Sequence, residues 1–242
     1  MYINLKEIQN SLEPKQKYAK LQPGKNHLRF VKTDGLFKHS GFHTLNGGYQ
    51  ICPKRTDKLP CPICEAASEA YRNSTFKNKS EDPLYKALKA ADRYYWACVD
   101  RGSDRGIQIL SLGSKITKSI VDTMVAWAPK DPLDPDTGND VVITKTGSGL
   151  LTSYDFTFLP QSSPLGTPEE VEQWMSEMPD LNAECRYLSY DELEKMLKSF
   201  LVSQGTGQII TPQAVVTPSG AASFKTDKEA SRIFDMLAKT NQ

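Results

Sequence analysis

Residues 39–64 read HSGFHTLNGGYQICPKRTDKLPCPIC and hold three of the chain's five cysteines and two of its three histidines. Asn46-Gly47-Gly48 is a turn signal between two strand-like stretches, so residues 36–52 are predicted to form a β-hairpin that ends at the first cysteine. The next two cysteines stand as Cys61-Pro62-Ile63-Cys64, a knuckle that directs two thiolates at one centre. The segment predicts a metal-stabilised subdomain at about residues 36–93.

Structural zinc takes four protein donors in a tetrahedron and prefers thiolate and imidazole. Cys52, Cys61 and Cys64 supply three donors, and His39 or His43 supplies the fourth. Four protein ligands leave no position for substrate, so we expect the Zn²⁺ to hold the loop rather than do chemistry. Reduced cytosolic thiols or a redox pair are the alternative explanation of the cluster.

A zinc enzyme acting on nucleic acid is the catalytic alternative. The run Pro60-Cys61-Pro62-Ile63-Cys64 fits half of the zinc deaminase signature, which also needs a catalytic Glu upstream. No Glu lies between Pro14 and Cys64, so the proton-shuttling residue is missing. We expect that the protein is not an enzyme.

Outward from the hairpin, alternating apolar residues predict strands, and capped segments of helical periodicity predict helices. The strands fall at about 25–32, 94–99, 107–112, 141–145 and 150–159. Helices are predicted at about 64–76, 83–93 and 114–128, and capping boxes at Thr167, Ser189 and Thr226 announce three more. The fold class is β-rich α+β. The predicted organisation is an N-terminal segment at 1–24, a core at 25–203, a flexible linker at 204–225 and a C-terminal helix at 226–242.

Charge is strongly segregated along a chain whose formal net charge is only +1. Residues 14–118 hold 20 Lys and Arg against nine Asp and Glu, a net of +11, whereas residues 131–194 hold two against 14, a net of −12. Two solvated faces of opposite sign would also produce this pattern. In the basic half, however, aromatic residues recur beside cations, as in Tyr71-Arg72, Phe76-Lys77, Tyr85-Lys86 and Arg93-Tyr94-Tyr95-Trp96.

Stacking on bases combined with charge along the backbone is typical of proteins that bind single-stranded nucleic acid. Alternate members of the strand at 94–98 must face the core, so we expect either Tyr95 or Trp96 to be exposed, but not both. Tyr154 lies in a period-two aromatic stripe, which serves equally well as a core-facing row or as a base-stacking row.

These pieces together resemble the helix-destabilising single-stranded DNA-binding proteins of T-even-like bacteriophages. The resemblance covers about residues 15–200, and its most specific parts are the cysteine cluster and Tyr95-Trp96-Ala97. The other matching pieces, in chain order, are LRFVK at 28–32, His39-Ser40-Gly41-Phe42, Asn46-Gly47-Gly48-Tyr49 and Tyr85.

The resemblance implies an OB-fold, a five-stranded barrel, with an inserted zinc-binding subdomain and peripheral helices. The family's thirteen-residue step from His to Cys selects His39 as the fourth zinc ligand. The aromatics of the DNA groove carry over to Tyr85, Tyr95 and Trp96, and the phosphate contacts to Lys86, Lys89 and Arg93.

The implied function is sequence-independent coating and protection of single-stranded DNA during phage DNA replication, recombination and repair. Phage replication or recombination proteins would be the partners, in the cytoplasm of an infected bacterial cell. No apolar stretch has the length of a membrane helix, so we expect no membrane association. The sequence leaves the oligomeric state open. The alternative function is a zinc-stabilised adaptor that binds another replication protein through residues 131–200 and has little affinity for DNA.

Overall fold

A computed structural model describes residues 17–204, which hold seven β-strands and six α-helices. The strands are β1 (Gly24–Val31), β2 (Lys38–Leu45), β3 (Gly48–Cys52), β4 (Ala91–Asp100), β5 (Ile107–Gly113), β6 (Asn139–Thr146) and β7 (Ser153–Ser162). The helices are α1 (Pro53–Asp57), α2 (Pro62–Asn73), α3 (Pro83–Leu88), α4 (Ser114–Ala126), α5 (Pro168–Ser176) and α6 (Tyr190–Ser203). Most of the predicted N-terminal segment and linker, and the entire predicted C-terminal helix at 226–242, lie outside the described residues.

The chain divides into two compact units, each formed by two separate stretches of sequence. Among the described residues, the sheet unit comprises 17–39 and 93–185, and the cysteine unit comprises 40–92 and 186–204. The second unit therefore interrupts the first between β1 and β4. The mixed α+β class predicted from the sequence is confirmed.

The sheet unit is built on five strands in the order β5-β4-β1-β6-β7, with every ladder antiparallel. Among the described residues no ladder joins β7 back to β5, so the sheet is open and a closed five-stranded barrel is not confirmed. Inward-facing residues of all five strands form the core with one face of α4. That core includes Leu28, Phe30, Trp96, Cys98, Leu110, Ile116, Ile120 and Ile143.

Helix α5 covers part of the opposite face of the sheet. Its Trp174 packs with Val31, Ala97 and Val99 in a second apolar cluster. Two glycines permit this approach, because a Cβ at Gly106 or Gly166 would lie only 3.0 or 2.9 Å from the Trp174 ring. Gly106 also has a φ of +68°, which disfavours any residue with a side chain.

A buried cation ties the acidic loop at 131–140 to the sheet. The Arg29 side chain is 1% exposed and donates to Asp140, to the Asp134 carbonyl at 2.8 Å and to the Ser163 carbonyl at 2.9 Å. Arg101 donates to the same Asp140 carboxylate. Burial lowers the pKa of Arg29, and the carboxylate and carbonyl oxygens compensate the charge. Part of the negative charge of residues 131–194 is thus internal and structural.

The cysteine unit begins with the β2–β3 hairpin, which turns at Asn46 and Gly47. These residues have φ angles of 49° and 78°, as a two-residue type I′ turn requires. The unit's helices α2, α3 and α6 bury a second core of Cys52, Cys61, Ile63, Leu88, Leu193, Leu197 and Phe200. The helix predicted at 83–93 ends at Leu88, because Lys89 is already extended and β4 starts at Ala91.

No helix among residues 17–204 combines the length and apolar character needed to cross a membrane.

Candidate metal centre and nucleic-acid interface

Four side chains of the cysteine unit converge on one point. Cys52 ends β3 and is the N-cap of α1, Cys61 is the N-cap of α2, and Cys64 lies in the first turn of that helix. The fourth side chain is His43, from the middle of β2 and fully buried. The hairpin register pairs His43 with Gln50 and Gly41 with Cys52, so His43 lies diagonally beside Cys52 on the same face.

Distances within this cluster are short and similar. The His43 Nε2 atom lies 3.4 Å from the Cys61 Sγ and 3.6 Å from the Cys64 Sγ. The Sγ atoms of Cys52 and Cys64 are 3.4 Å apart, and all four ligand atoms lie within 4.8 Å of one another. This separation is far longer than the roughly 2.05 Å of a disulfide, and all five cysteines are free.

This geometry fits a tetrahedral metal ion. A zinc–sulfur distance of about 2.3 Å places two thiolates about 3.8 Å apart and a thiolate and an imidazole nitrogen slightly closer. The three spacings given above are within a few tenths of an ångström of those values. The donor set of three thiols and one imidazole is one that soft or borderline divalent metals prefer. His43 and the three cysteines can therefore hold a metal ion.

Backbone groups around the cluster complete the site. The Nδ1 atom of His43 lies 2.8 Å from the carbonyl of Leu88, the last residue of α3, which leaves Nε2 facing the thiols. The Arg55 N–H donates to the Cys52 Sγ at 3.4 Å. Such outer partners fix the tautomer and the orientation of metal ligands. The Leu88 contact also ties the end of α3 to the metal centre, a link that no local sequence pattern indicates.

Protons bound by the cluster oppose metal binding. Burial disfavours protonation of His43, but hydrogen bonds with the Cys52 and Cys61 thiols outweigh it and raise the pKa of His43 to about 9. A hydrogen bond with Cys61 is the main cause that lowers the pKa of Cys52, and one with Cys52 is the main cause that raises the pKa of Cys64. A ligating imidazole is neutral and ligating thiols are deprotonated, so metal affinity should increase with pH.

The structure brings His43, and not the predicted His39, to the three cysteines. His39 belongs to the sheet unit, where its ring lies 5.0 Å from the ring of Tyr94. Gly41 is the residue opposite Cys52. His39 lies two residues before Gly41, away from the turn of the hairpin, whereas His43 lies two residues after it, toward the turn. Four residues along a strand span about 13 Å, so the two histidines cannot occupy the same place.

Gly41 allows α1 to approach the hairpin. A Cβ at Gly41 would lie 2.2 Å from the Arg55 Cβ and 3.3 Å from the Cys52 Cβ. Any side chain there would push α1 away from β2.

Beside the metal centre, α2 and α3 carry the first group of predicted DNA contacts. The rings of Tyr71 and Tyr85 lie 5.1 Å apart, and Tyr71 is 41% exposed. The Lys89 ammonium stands 6.0 Å from the centre of the Tyr85 ring. The Arg72 guanidinium donates to the buried Glu69 carboxylate at 2.8 Å. Lys86, also exposed, pairs with Glu81. Two aromatic rings with adjacent cations thus occur together on this unit.

Comparison with known proteins identifies the chain. A family model described as gp32 DNA binding protein like matches residues 22–201, which cover most of both units. The chain belongs to the gp32-like family of single-stranded DNA-binding proteins. A search of curated proteins found no match. The resemblance inferred from the cysteine cluster and Tyr95-Trp96-Ala97 is confirmed.

In this gp32-like chain the sheet unit carries the other predicted contacts, and they differ sharply in exposure. Trp96 is 1% exposed and packs against Phe30, with ring centres 4.6 Å apart. Trp96 belongs to the inward-facing set of β4, so its ring faces the core and is not exposed for the base stacking predicted for this residue. Tyr95 is half-buried on the other face of β4, as the alternation of the strand requires.

The remaining predicted contacts of the gp32-like chain are accessible. Arg93 lies two residues before Tyr95, hence on the same face of β4, and is partly exposed. On β7, Tyr154 is 43% exposed and pairs across the strands with Lys145. The aromatic stripe on β7 is divided, because Phe158 is buried in the core whereas Tyr154 faces solvent.

Proposed function

We propose that this protein coats and protects single-stranded DNA, largely without regard to sequence, in phage DNA replication, recombination and repair. The observation that carries the proposal is the pair of neighbouring rings, Tyr71 and Tyr85, with the Lys89 ammonium near the Tyr85 ring in a chain of the gp32-like family. Cations capture phosphates, with the release of counterions, and aromatic rings then stack on unpaired bases. Binding to single strands in preference to duplex stabilises the melted state by mass action.

The strand order of the sheet unit supports its assignment to the OB-fold. In chain order β1, β4, β5, β6 and β7 correspond to the five strands of that fold, which is often a partly open barrel. OB-folds bind oligonucleotides on the second and third strands and through the loop between the first and second. Arg93 and Tyr95 lie on the second strand, and residues 40–92 of the cysteine unit take the place of that loop.

We propose Zn²⁺ as the metal held by His43, Cys52, Cys61 and Cys64. Three thiolates and one imidazole form a closed structural set, and a structural zinc contributes directly to folding. The ion would stabilise the hairpin and the start of α2. Four protein ligands would leave no open coordination position for a substrate, and a structural ion needs no general base beside it. The proposed activity is therefore binding, without catalysis.

The proposed biological setting is the cytoplasm of an infected bacterial cell, where phage replication or recombination proteins would share the DNA. Charge segregation supports such a division of roles. Exposed negative charge of residues 131–194, including Glu169, Glu170 and Glu172 on α5, repels nucleic acid and suits a basic protein surface.

A fluorescence-anisotropy titration tests the proposal, with a labelled single-stranded oligonucleotide and the matching duplex, each at two salt concentrations. We expect the single strand to bind far more tightly than the duplex and its affinity to fall steeply with salt. Failure of both nucleic acids to bind at low salt would overturn the proposal in favour of the protein adaptor.

A further inference from the structure

Phe76 is an exposed aromatic residue in the loop between α2 and the short turn Lys79–Glu81. Its side chain is 47% exposed, and phenylalanine has no polar atom that would gain from contact with water. Single exposed apolar residues are common on protein surfaces and need no explanation by themselves. The order of the loop and the charge around it set this residue apart.

The loop that carries Phe76 is fixed by its own hydrogen bonds. The Phe76 N–H donates to the Ser74 hydroxyl at 3.3 Å, and the Ser80 N–H donates to the Asn78 side chain at 3.2 Å. The Lys79 ammonium reaches back to the carbonyl of Arg72 at 2.7 Å. The backbone that carries the exposed ring is thus ordered before DNA binds, which reduces the conformational entropy that would be lost on binding.

The local sequence around the ring is rich in positive charge, although Arg72 pairs with Glu69. Residues 70–80 read AYRNSTFKNKS and include Arg72, Lys77 and Lys79 but no Asp or Glu. Lys77 is the next residue after Phe76 in the sequence and is exposed. The turn Lys79–Glu81 packs against both α2 and α3, the helices that carry Tyr71 and Tyr85.

We propose that Phe76 is a third base-stacking residue of the cysteine unit, which takes an unpaired nucleobase while Lys77 meets the adjoining phosphate. The proposal deepens the DNA-binding function proposed above and rests on it. A paired base inside a duplex hides its face in the helical stack, so the Phe76 ring favours single strands. Because phenylalanine forms no hydrogen bond to a base, this contact adds affinity without adding sequence preference.

Binding of a labelled single-stranded oligonucleotide tests the proposal, using the full chain and the variants Phe76→Ala, Phe76→Leu and Phe76→Trp. Loss of the ring in Phe76→Ala should weaken binding by between about 5-fold and 150-fold. Phe76→Leu keeps apolar bulk without a π face and should lose a similar amount. Phe76→Trp keeps an aromatic ring and should bind as tightly as the original protein. The fluorescence of the added tryptophan should be quenched by the DNA. Val202→Ala, at a site of similar exposure in the same unit, should bind as the original protein does.

The slope of affinity against salt separates stacking from charge. It should be the same for Phe76→Ala and the original protein, since no phosphate contact is removed. Equal binding by the original protein and Phe76→Ala would overturn the role of Phe76 and leave the DNA-binding function standing. Full binding by Phe76→Leu would overturn stacking as its mechanism. If the original protein itself fails to bind, both the function and this inference fail. Metal content and melting temperature verify that each variant is folded.

Discussion

The two units of this protein differ in the side chains that form their cores. The sheet unit buries large apolar side chains from five strands and a helix, with Trp96 and Phe30 in contact at its centre. The cysteine unit is smaller, and its core includes the thiols of Cys52 and Cys61. A small domain with few large apolar residues commonly needs a metal or a disulfide for its stability. We therefore expect metal to matter for one unit and packing for the other.

The largest effect should come from His43→Ala. Loss of the imidazole removes one of the four donors and its interaction with the Leu88 carbonyl, so metal affinity should fall by more than about 100-fold. Amide exchange of residues 40–92 should increase strongly, while that of β1, β4 and β6 changes little. Metal analysis combined with hydrogen exchange measures both quantities.

His39→Ala is the matched control for that experiment. His39 contacts Tyr94 in the sheet unit, and its removal should leave the metal content at the level of the original protein. If His39→Ala loses the metal and His43→Ala keeps it, the ligand assignment drawn from the geometry is wrong.

The sequence was sufficient to predict the type of ligands at the candidate metal centre and its three cysteines, but not which histidine joins them. Cys52, Cys61 and Cys64 could be recognised because a knuckle and a nearby thiol are a local signal. The choice between His39 and His43 depends on strand register. The two-residue turn at Asn46-Gly47 does fix that register, since it places Gly41 opposite Cys52 and His43 diagonally next to it. The His-to-Cys spacing taken from the family resemblance does not include this constraint, and it selected His39, whereas the structure places His43 beside the three thiols.

In the sheet unit, alternation on β4 predicted that only one of Tyr95 and Trp96 would be exposed, but it could not say which. That choice depends on Phe30 and Phe37, which lie far from Trp96 along the chain and contact its ring. The extent of strand pairing was also beyond the sequence. Barrel closure depends on whether β5 and β7 meet, and no local pattern encodes that contact.

Trp96→Ala tests whether packing alone supports the sheet unit. The change removes a fully buried indole and should lower the free energy of unfolding by about 3–5 kcal/mol. Chemical denaturation measures this loss, and metal content should stay the same. The indole nitrogen has no hydrogen-bond partner among the described residues, so Trp96→Phe loses no hydrogen bond and should cost much less.

Tyr95→Ala is the comparison on the same strand. Tyr95 is half-buried, so its removal should cost less stability than that of Trp96. Its effect should instead appear in oligonucleotide binding. A Trp96→Phe variant that loses DNA affinity at unchanged stability would show that the buried ring, and not Tyr95, serves the DNA.

Tyr85→Ala should have an intermediate effect and act on DNA alone. Its ring neighbours both the Tyr71 ring and the Lys89 ammonium, and loss of one stacked base should cost about 1–3 kcal/mol of binding free energy. Tyr154→Ala removes an exposed ring of the sheet unit and is the matched change there. A titration of both variants with the same oligonucleotide shows which unit contributes more. Equal affinity of Tyr85→Ala and the original protein would contradict the role of the ring pair.

The smallest effect should follow Lys89→Gln, which removes one cation beside that ring pair. A single phosphate contact contributes modestly, but it has a distinctive signature, because removing one such cation reduces the slope of log affinity against log salt by roughly one. Lys118→Gln is the control in the sheet unit, since Lys118 is exposed and already pairs with Asp122 one helical turn away. An unchanged slope for Lys89→Gln would mean that Lys89 only supports the Tyr85 ring. A slope reduced equally by both changes would mean that the DNA responds to net charge rather than to a defined surface of the cysteine unit.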